Sequence, residues 1–155
     1  GDYKGFQVYT NTDAVISSYG IGAGISYKIF NDYNVGLNYT WSKFSFDQSS
    51  DPDYKAGFNT PEHKVKASVG NFNVIKNFGF NVNLRWNNKY FWESSFIDAM
   101  IPASTVLDAQ INFSIPKWKS IIKLGGVNIG GHEYTSAPGT GYIGSQYFAS
   151  WTLSL

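Results

Sequence analysis

The chain has no cysteine, one methionine, five prolines and two histidines in 155 residues, and only 15% of its residues are charged. The lack of cysteine rules out disulfides and thiolate chemistry and fits an exported bacterial protein. The two histidines, His63 and His132, lie in different regions, and neither sits in a ligand spacing such as HExxH. A formal net charge of +1 gives no reason to invoke nucleic acid. No run of ~20 apolar residues occurs, which excludes a membrane protein of the helical kind. There is also no initiator Met and no signal peptide; the chain begins at Gly1 as though cut from something longer.

What the chain does have is aromatic residues (12 Phe, 11 Tyr and 5 Trp), 16 glycines and a repeated alternation. Tyr19, Ile21, Ala23, Ile25, Tyr27 and Ile29 are separated by Gly20, Gly22, Gly24, Ser26 and Lys28. Successive strand side chains point to opposite sides, so such a run has one apolar face and one small, wet face. The same phase returns at Val35, Leu37, Tyr39 and Trp41, at Val65, Ala67 and Val69, and at Phe78, Phe80, Val82, Leu84 and Trp86. It returns again at Leu107, Ala109, Ile111, Phe113 and Ile115, and at Tyr147, Ala149, Trp151, Leu153 and Leu155. These make six clean strands. A seventh over residues 121–129 is ambiguous because both of its phases mix apolar and polar residues, and an eighth is expected near residues 6–10.

The expected fold is therefore all-β, a transmembrane antiparallel β-barrel segment of about eight strands. Connection lengths agree with it. Those at 31–33, 74–77 and 116–119 are short, those at 47–61, 93–104 and 131–142 are long, and the two kinds alternate strictly. In outer-membrane barrels short turns face the periplasm and long loops face outside, which makes the C-terminus periplasmic. Tyr27, Phe30, Tyr33, Tyr39, Trp41, Tyr90 and Trp92 stand where interfacial girdles are expected. Lys28, Lys64, Lys66, Arg85 and Asp108 fall on the other face. A bare charge facing hydrocarbon costs a few kcal/mol near the midplane, so that face is expected to line a wet lumen.

The long loops hold turn formers (Asp51, Pro52, Asp53, Gly57, Asn59, Pro61, then 137–141) and aromatics that either stack on cargo or pack the loop onto itself, the second being the commoner role. Asp47, Asp51 and Asp53 lack the Gly and distal Glu of an EF-hand, so a solvated acidic loop is expected and no metal site. Ser94 and Ser95 are in no nucleophile elbow, Gly20 to Gly24 precede no helix that would cradle phosphate, and Asp98 and Asp108 form no acid–base pattern. No enzymatic activity and no cofactor are expected.

The runs KFSFDQSSDPDYKAGFNTPEHKVKASVG, KNFGFNVNLRWNNKYFWESSF, IPASTVLDAQINFSIPKWKSIIKLGGVNIGGHEY and IGSQYFASWTLSL resemble, in order, the C-terminal end of the barrel of SusC/RagA-like TonB-dependent receptors of Bacteroidota. The resemblance spans residues 7–155; GFNTPEHKV and VLDAQINFSIPKWKSIIKLGGVNIGG are its most specific parts. It implies a 22-stranded barrel in the outer membrane, an N-terminal plug, TonB-energised import of oligosaccharides, peptides or similar nutrients, and a SusD-like lipoprotein as lid. Residues 1–155 resemble no plug, no TonB box and no N-terminal extension, so the chain is expected to be the final third or so of such a barrel, completed by the rest of its own or another chain. Its partners would be that remainder, the SusD-like protein, TonB through the missing N-terminal part, and outer-membrane lipid. Candidate substrate contacts are Arg85 and Lys66 in the lumen and Tyr54, Phe58, Trp92, Phe96 and Tyr134 in the loops. The alternative is a small self-closed eight-stranded outer-membrane barrel or a soluble lipocalin-like barrel that binds an apolar ligand.

Overall fold

The computed structural model describes residues 2–3, 6–7 and 11–154. The strands are β1 (Asp2–Tyr3), β2 (Phe6–Gln7), β3 (Ile16–Ile29), β4 (Tyr33–Phe46), β5 (His63–Ile75), β6 (Phe78–Asn87), β7 (Tyr90–Trp92), β8 (Ala99–Ile101), β9 (Ser104–Ile115), β10 (Ser120–Val127) and β11 (Gln146–Leu153). The seven long strands form one sheet in the order β11-β10-β9-β6-β5-β4-β3, antiparallel throughout. β1–β2 and β7–β8 are separate two-stranded ribbons. All six clean strands expected from the sequence are present. The ambiguous stretch is β10, which starts at Ser120 and ends at Val127. The expected strand near residues 6–10 is represented by Phe6–Gln7, which pairs with Asp2–Tyr3; residues 8–10, like Leu155, lie outside the described residues.

Register turns the alternation of single strands into a property of the whole sheet. One row of directly opposed residues runs Tyr27, Val35, Val69, Val82, Ala109, Gly126, Tyr147 across all seven strands. The neighbouring row runs Ile25, Leu37, Ala67, Leu84, Leu107. A one-residue slip of β3, β4, β5, β6 or β9 would put a polar residue into these rows, so in those strands the pattern itself fixes the pairing. On the other face the rows read Gly24, Asn38, Lys66, Arg85, Val106 and Ser26, Gly36, Ser68, Asn83, Asp108. Lys123, opposite Asn112 and Ser150, adds a cation to that polar face.

Among the described residues no second layer covers the apolar face. Of the aliphatic and aromatic side chains among the described residues only Ile101 and Val106 are buried, whereas Ile21, Ile25, Tyr27 and Leu37 are exposed, Ile25 to 65%. Among the described residues the sheet is also open laterally: β3 pairs only with β4, and β11 only with β10.

The short turns are tightly built. Asn31 and Asp32 adopt left-handed backbone conformations, and Lys28 reaches back to Asp32. β5 ends in an irregularity: Asn71 opposes Phe80, but the next paired residue is Ile75, opposite Phe78. The displaced backbone passes over Gly79, where a β-carbon would lie 2.5 Å from Cα of Phe72. Asn71, fully buried, holds this bulge: its side chain accepts the Asn73 amide proton at 2.7 Å and donates to the carbonyl of Asn31 in the neighbouring turn. A bulge of this kind locally disrupts the ladder, and here the backbone at Phe72 approaches Gly79 too closely for any side chain.

Candidate functional site

The three long connections all leave the same end of the sheet, because antiparallel neighbours return there, and hydrogen bonds join them into one layer. Residues 47–62 meet 88–103 through a two-way clasp: the Asn59 amide donates to the Glu93 carbonyl at 2.9 Å, and the Glu93 N–H donates to Asn59 Oδ1 at 2.8 Å. Lys55 adds an ion pair to Asp98 and a bond to the Ser94 carbonyl. Residues 88–103 in turn meet 128–145 through Tyr90, whose hydroxyl donates to the Ser136 carbonyl at 2.9 Å. The third loop is rooted by Asn128, whose N–H donates to Asp108 Oδ1 and whose amide donates to the carbonyls of His132 and Ile143.

This layer lies against the polar face. Phe44 and Phe46 carry the polar-face phase of β4 beyond its last polar residues; Phe58 stacks on Phe44 at a centroid distance of 4.5 Å, and Tyr54 meets Phe46 at 5.4 Å. Val106, also on the polar face, is buried to 3% exposure. Tyr54 and Phe58 thus pack their loop onto the sheet. Trp92 is half-buried in β7, and Phe96 stands at the tip of its loop, 85% exposed. Tyr90 and Trp92, expected in a girdle at a strand end, belong instead to the β7–β8 ribbon: after β6 ends at Asn87 the chain leaves the sheet.

Three of the seven candidate contacts come together. Lys66 is directly opposite Arg85 across β5 and β6, and Tyr134 from the third loop lines with them, Lys64, Ser104 and Val106 a half-open groove of about 160 Å³. Arg85 is bonded to Asp108 at 2.9 Å. A second, larger cleft of about 310 Å³ lies on the loop side of Tyr134, between Met100, Ile101 and Pro102 on one wall and Pro138 and Tyr142 on the other. Sequence reasoning did not single out Lys64 as a contact, nor Asn59, Glu93 and Asn128 as the ties between loops. The signal for the ties was slight: Asn59 and Asn128 both sit at positive φ, where asparagine is favoured among side-chain-bearing residues.

The electrostatics of the layer follow from these contacts. The hydrogen bond from Lys55, then the Ser94 amide, hold the Asp98 carboxyl below the ordinary carboxylate range. The Ser49 hydroxyl and amide do the same for Asp47, which caps its own turn. Burial pushes the Tyr90 hydroxyl up, so it stays a hydrogen-bond donor to Ser136 at neutral pH. Among the described residues no three His, Asp or Glu side chains gather as a metal site would require, and Asp47, Asp51 and Asp53 form no such group.

On the apolar face at this same end, Tyr19 meets Trp41 edge to face at 5.8 Å, Trp41 Nε1 donates to Glu62 at 3.1 Å, and the Tyr39 hydroxyl lies 2.7 Å from His63 Nδ1. These side chains have an apolar body and a hydrogen-bonded polar tip, the character expected at a boundary between oil and water. The comparisons place no known protein beside this chain: no family model, no curated protein and no solved structure matches it.

Proposed function

We propose that residues 1–155 are a stretch of the wall of an outer-membrane, TonB-dependent nutrient importer of the SusC-like kind, with the polar face lining the lumen, the long loops outside the cell and the C-terminus periplasmic. The observation that carries this reading is the seven-strand sheet itself, whose apolar face is continuous, uncovered and bounded by aromatics, while its charges lie on the opposite face except for Lys43, which stands beside Tyr19 at the loop end. In water such a face far exceeds the few hundred Å² that soluble monomers leave bare; in lipid it is solvated as it stands. From Phe78 to Trp86 the apolar face covers eight residue steps, about 26 Å along the strand at ~3.3 Å per residue and about 20 Å of height at ~40° tilt, close to the apolar band of an outer-membrane barrel.

Two further observations favour a piece of a wide barrel over the alternatives. Strand edges in hydrocarbon must be paired, and β3 and β11 do not pair with each other. A self-closed eight-stranded barrel fills its interior with side chains, yet Gly24, Ser26, Gly36, Ser68 and Gly70 would leave it hollow. A lipocalin-like barrel would turn its apolar face inward, whereas here the loops fold over the polar face. The wall has a passive role and performs no chemical step; the remainder of the barrel, a plug, TonB and a SusD-like lid complete the transporter.

The test uses single cysteines in the polypeptide carrying these residues, probed in intact outer membranes. Ser26→Cys and Asn83→Cys are expected to react with a water-soluble maleimide, while Ile25→Cys and Leu84→Cys react only with a lipid-soluble reagent. The reverse pattern would establish an inward apolar face, and equal labelling of all four would remove the membrane from the argument.

A further inference from the structure

The polar face holds three cations together near the loop end, Lys64, Lys66 and Arg85, against a single carboxylate, Asp108. Asp108 is already committed twice, to Arg85 and to the Asn128 backbone N–H. Among the described residues neither Lys64 nor Lys66 has an ion-pair partner. Lys66 faces Arg85 directly across the two strands, a placement of like charges that is destabilising by itself. The cluster borders a half-open groove that Tyr134 and Val106 also line and to which Ser104 adds a hydroxyl, with Lys66 and Arg85 exposed and Lys64 half-buried. Tyr134 also lines the larger cleft beyond, so a ligand could place its charged group beneath the tyrosine and its body between Met100, Pro102, Pro138 and Tyr142.

We propose that Lys64, Lys66 and Arg85 form a binding site for an oxyanion, carboxylate or phosphate, carried by a solute whose body occupies the cleft beyond Tyr134. An oxyanion set between these donors accepts charge-assisted hydrogen bonds from them and removes the Lys66–Arg85 repulsion that the empty site carries. The half-exposed Arg85 side chain leaves water free access from the lumen side. The proposal rests on the importer reading, since it needs the polar face to be wet and reachable by cargo.

The test uses the full polypeptide in detergent, its lysines reductively dimethylated with ¹³C so that each keeps its charge, and the Lys64 and Lys66 signals assigned with Lys64→Arg and Lys66→Arg. Titrations with galacturonate, inorganic phosphate, galactose and sodium chloride at matched ionic strength distinguish the sources of a response. A saturable shift of both signals with galacturonate, a weaker one with phosphate and none with galactose or chloride supports a site for an anion with a body; phosphate equal to galacturonate supports an anion site alone and removes the cleft from it. Lys66→Gln, read on Lys64, is expected to weaken galacturonate binding about tenfold, the loss of one charge-assisted hydrogen bond, while Lys66→Arg keeps it within about threefold. Galactose acting like galacturonate, chloride reproducing the shifts, or no saturable response overturns the proposal. Labelling of Ser26→Cys and Ile25→Cys in intact outer membranes tells that failure from failure of the importer reading, because a wet polar face without an anion response refutes the site alone.

Discussion

Val82 is the position at which the membrane reading is most exposed to refutation. It lies four residues from Phe78 and four from Trp86, about 13 Å of strand in each direction, which at ~40° tilt puts it near the middle of the apolar band. It belongs to the row that crosses all seven strands, between Val69 and Ala109. Arginine at the midplane of a barrel's lipid face costs about 2–4 kcal/mol, falling to about 0–1 near the interface. Val82→Arg is therefore expected to lower unfolding stability by about 3 kcal/mol. Thr105→Arg, on the same face beside Trp86 but four residues higher than Ala109, should cost under about 1 kcal/mol. Asn83→Arg, adjacent in sequence but on the polar face opposite Asp108, should stay within about 0.5 kcal/mol, since an opposed ion pair there offsets the lost amide contact. The assay is reversible guanidinium unfolding of the full polypeptide in phospholipid vesicles. Equal effects at Val82 and Asn83, or no gradient between Val82 and Thr105, would refute the assignment of this face to lipid.

Other expected outcomes are more local. Gly79→Ala drives a methyl group into the Phe72 backbone, which cannot yield as a side-chain tip would; a loss of about 2–3 kcal/mol in the same unfolding assay is expected, and a neutral result would mean that the bulge moves freely. Asn59→Gly keeps the positive φ but removes both bonds to Glu93; local opening of 88–103 should become easier by about 1–2 kcal/mol, read as faster hydrogen exchange of the Glu93 amide, and unchanged exchange would mean the clasp is not what holds the loops together. Because the folded-state pKa of Asp98 is depressed, its tie to Lys55 is fully present above the unfolded carboxylate value near pH 4 and is lost as pH falls through the lower folded value. Protection of the Ser94 amide, which donates to Asp98, should be unchanged from pH 7 to 5 and be lost only once pH falls below the ordinary carboxylate range in the native protein; Asp98→Asn should lack that protection at every pH.

Six of the seven strands were legible because alternation is a strong signal that recurs in each of them, and their register is consistent with it. β10 was obscure because Ile121 and Ile122 put apolar residues in both phases, and only its neighbours decide the matter: Lys123 opposes Asn112 on one side and Ser150 on the other. Tyr90 and Trp92 misled because strand-like residues continue past Asn87, and nothing local marks where the chain exchanges one partner for another. The lysines and arginine of the polar face were legible as wet residues, but their meeting under Tyr134 depends on loop 128–145 folding back, a long-range event without a local pattern. The ties between loops run mostly from side chains to carbonyls and amides, and backbone partners leave no mark on composition.

Those ties bear on how such a wall can change. With Asn59 held by Glu93, Tyr90 held by Ser136 and Asn128 held by Asp108 on the strand beneath, a change of length in one long loop that displaces any of these residues breaks a bond on which a neighbouring loop or the sheet depends. The changes that leave all of these bonds in place are replacement of the three connections as a set, or alteration of side chains that face the clefts while the fastened backbone stays as it is.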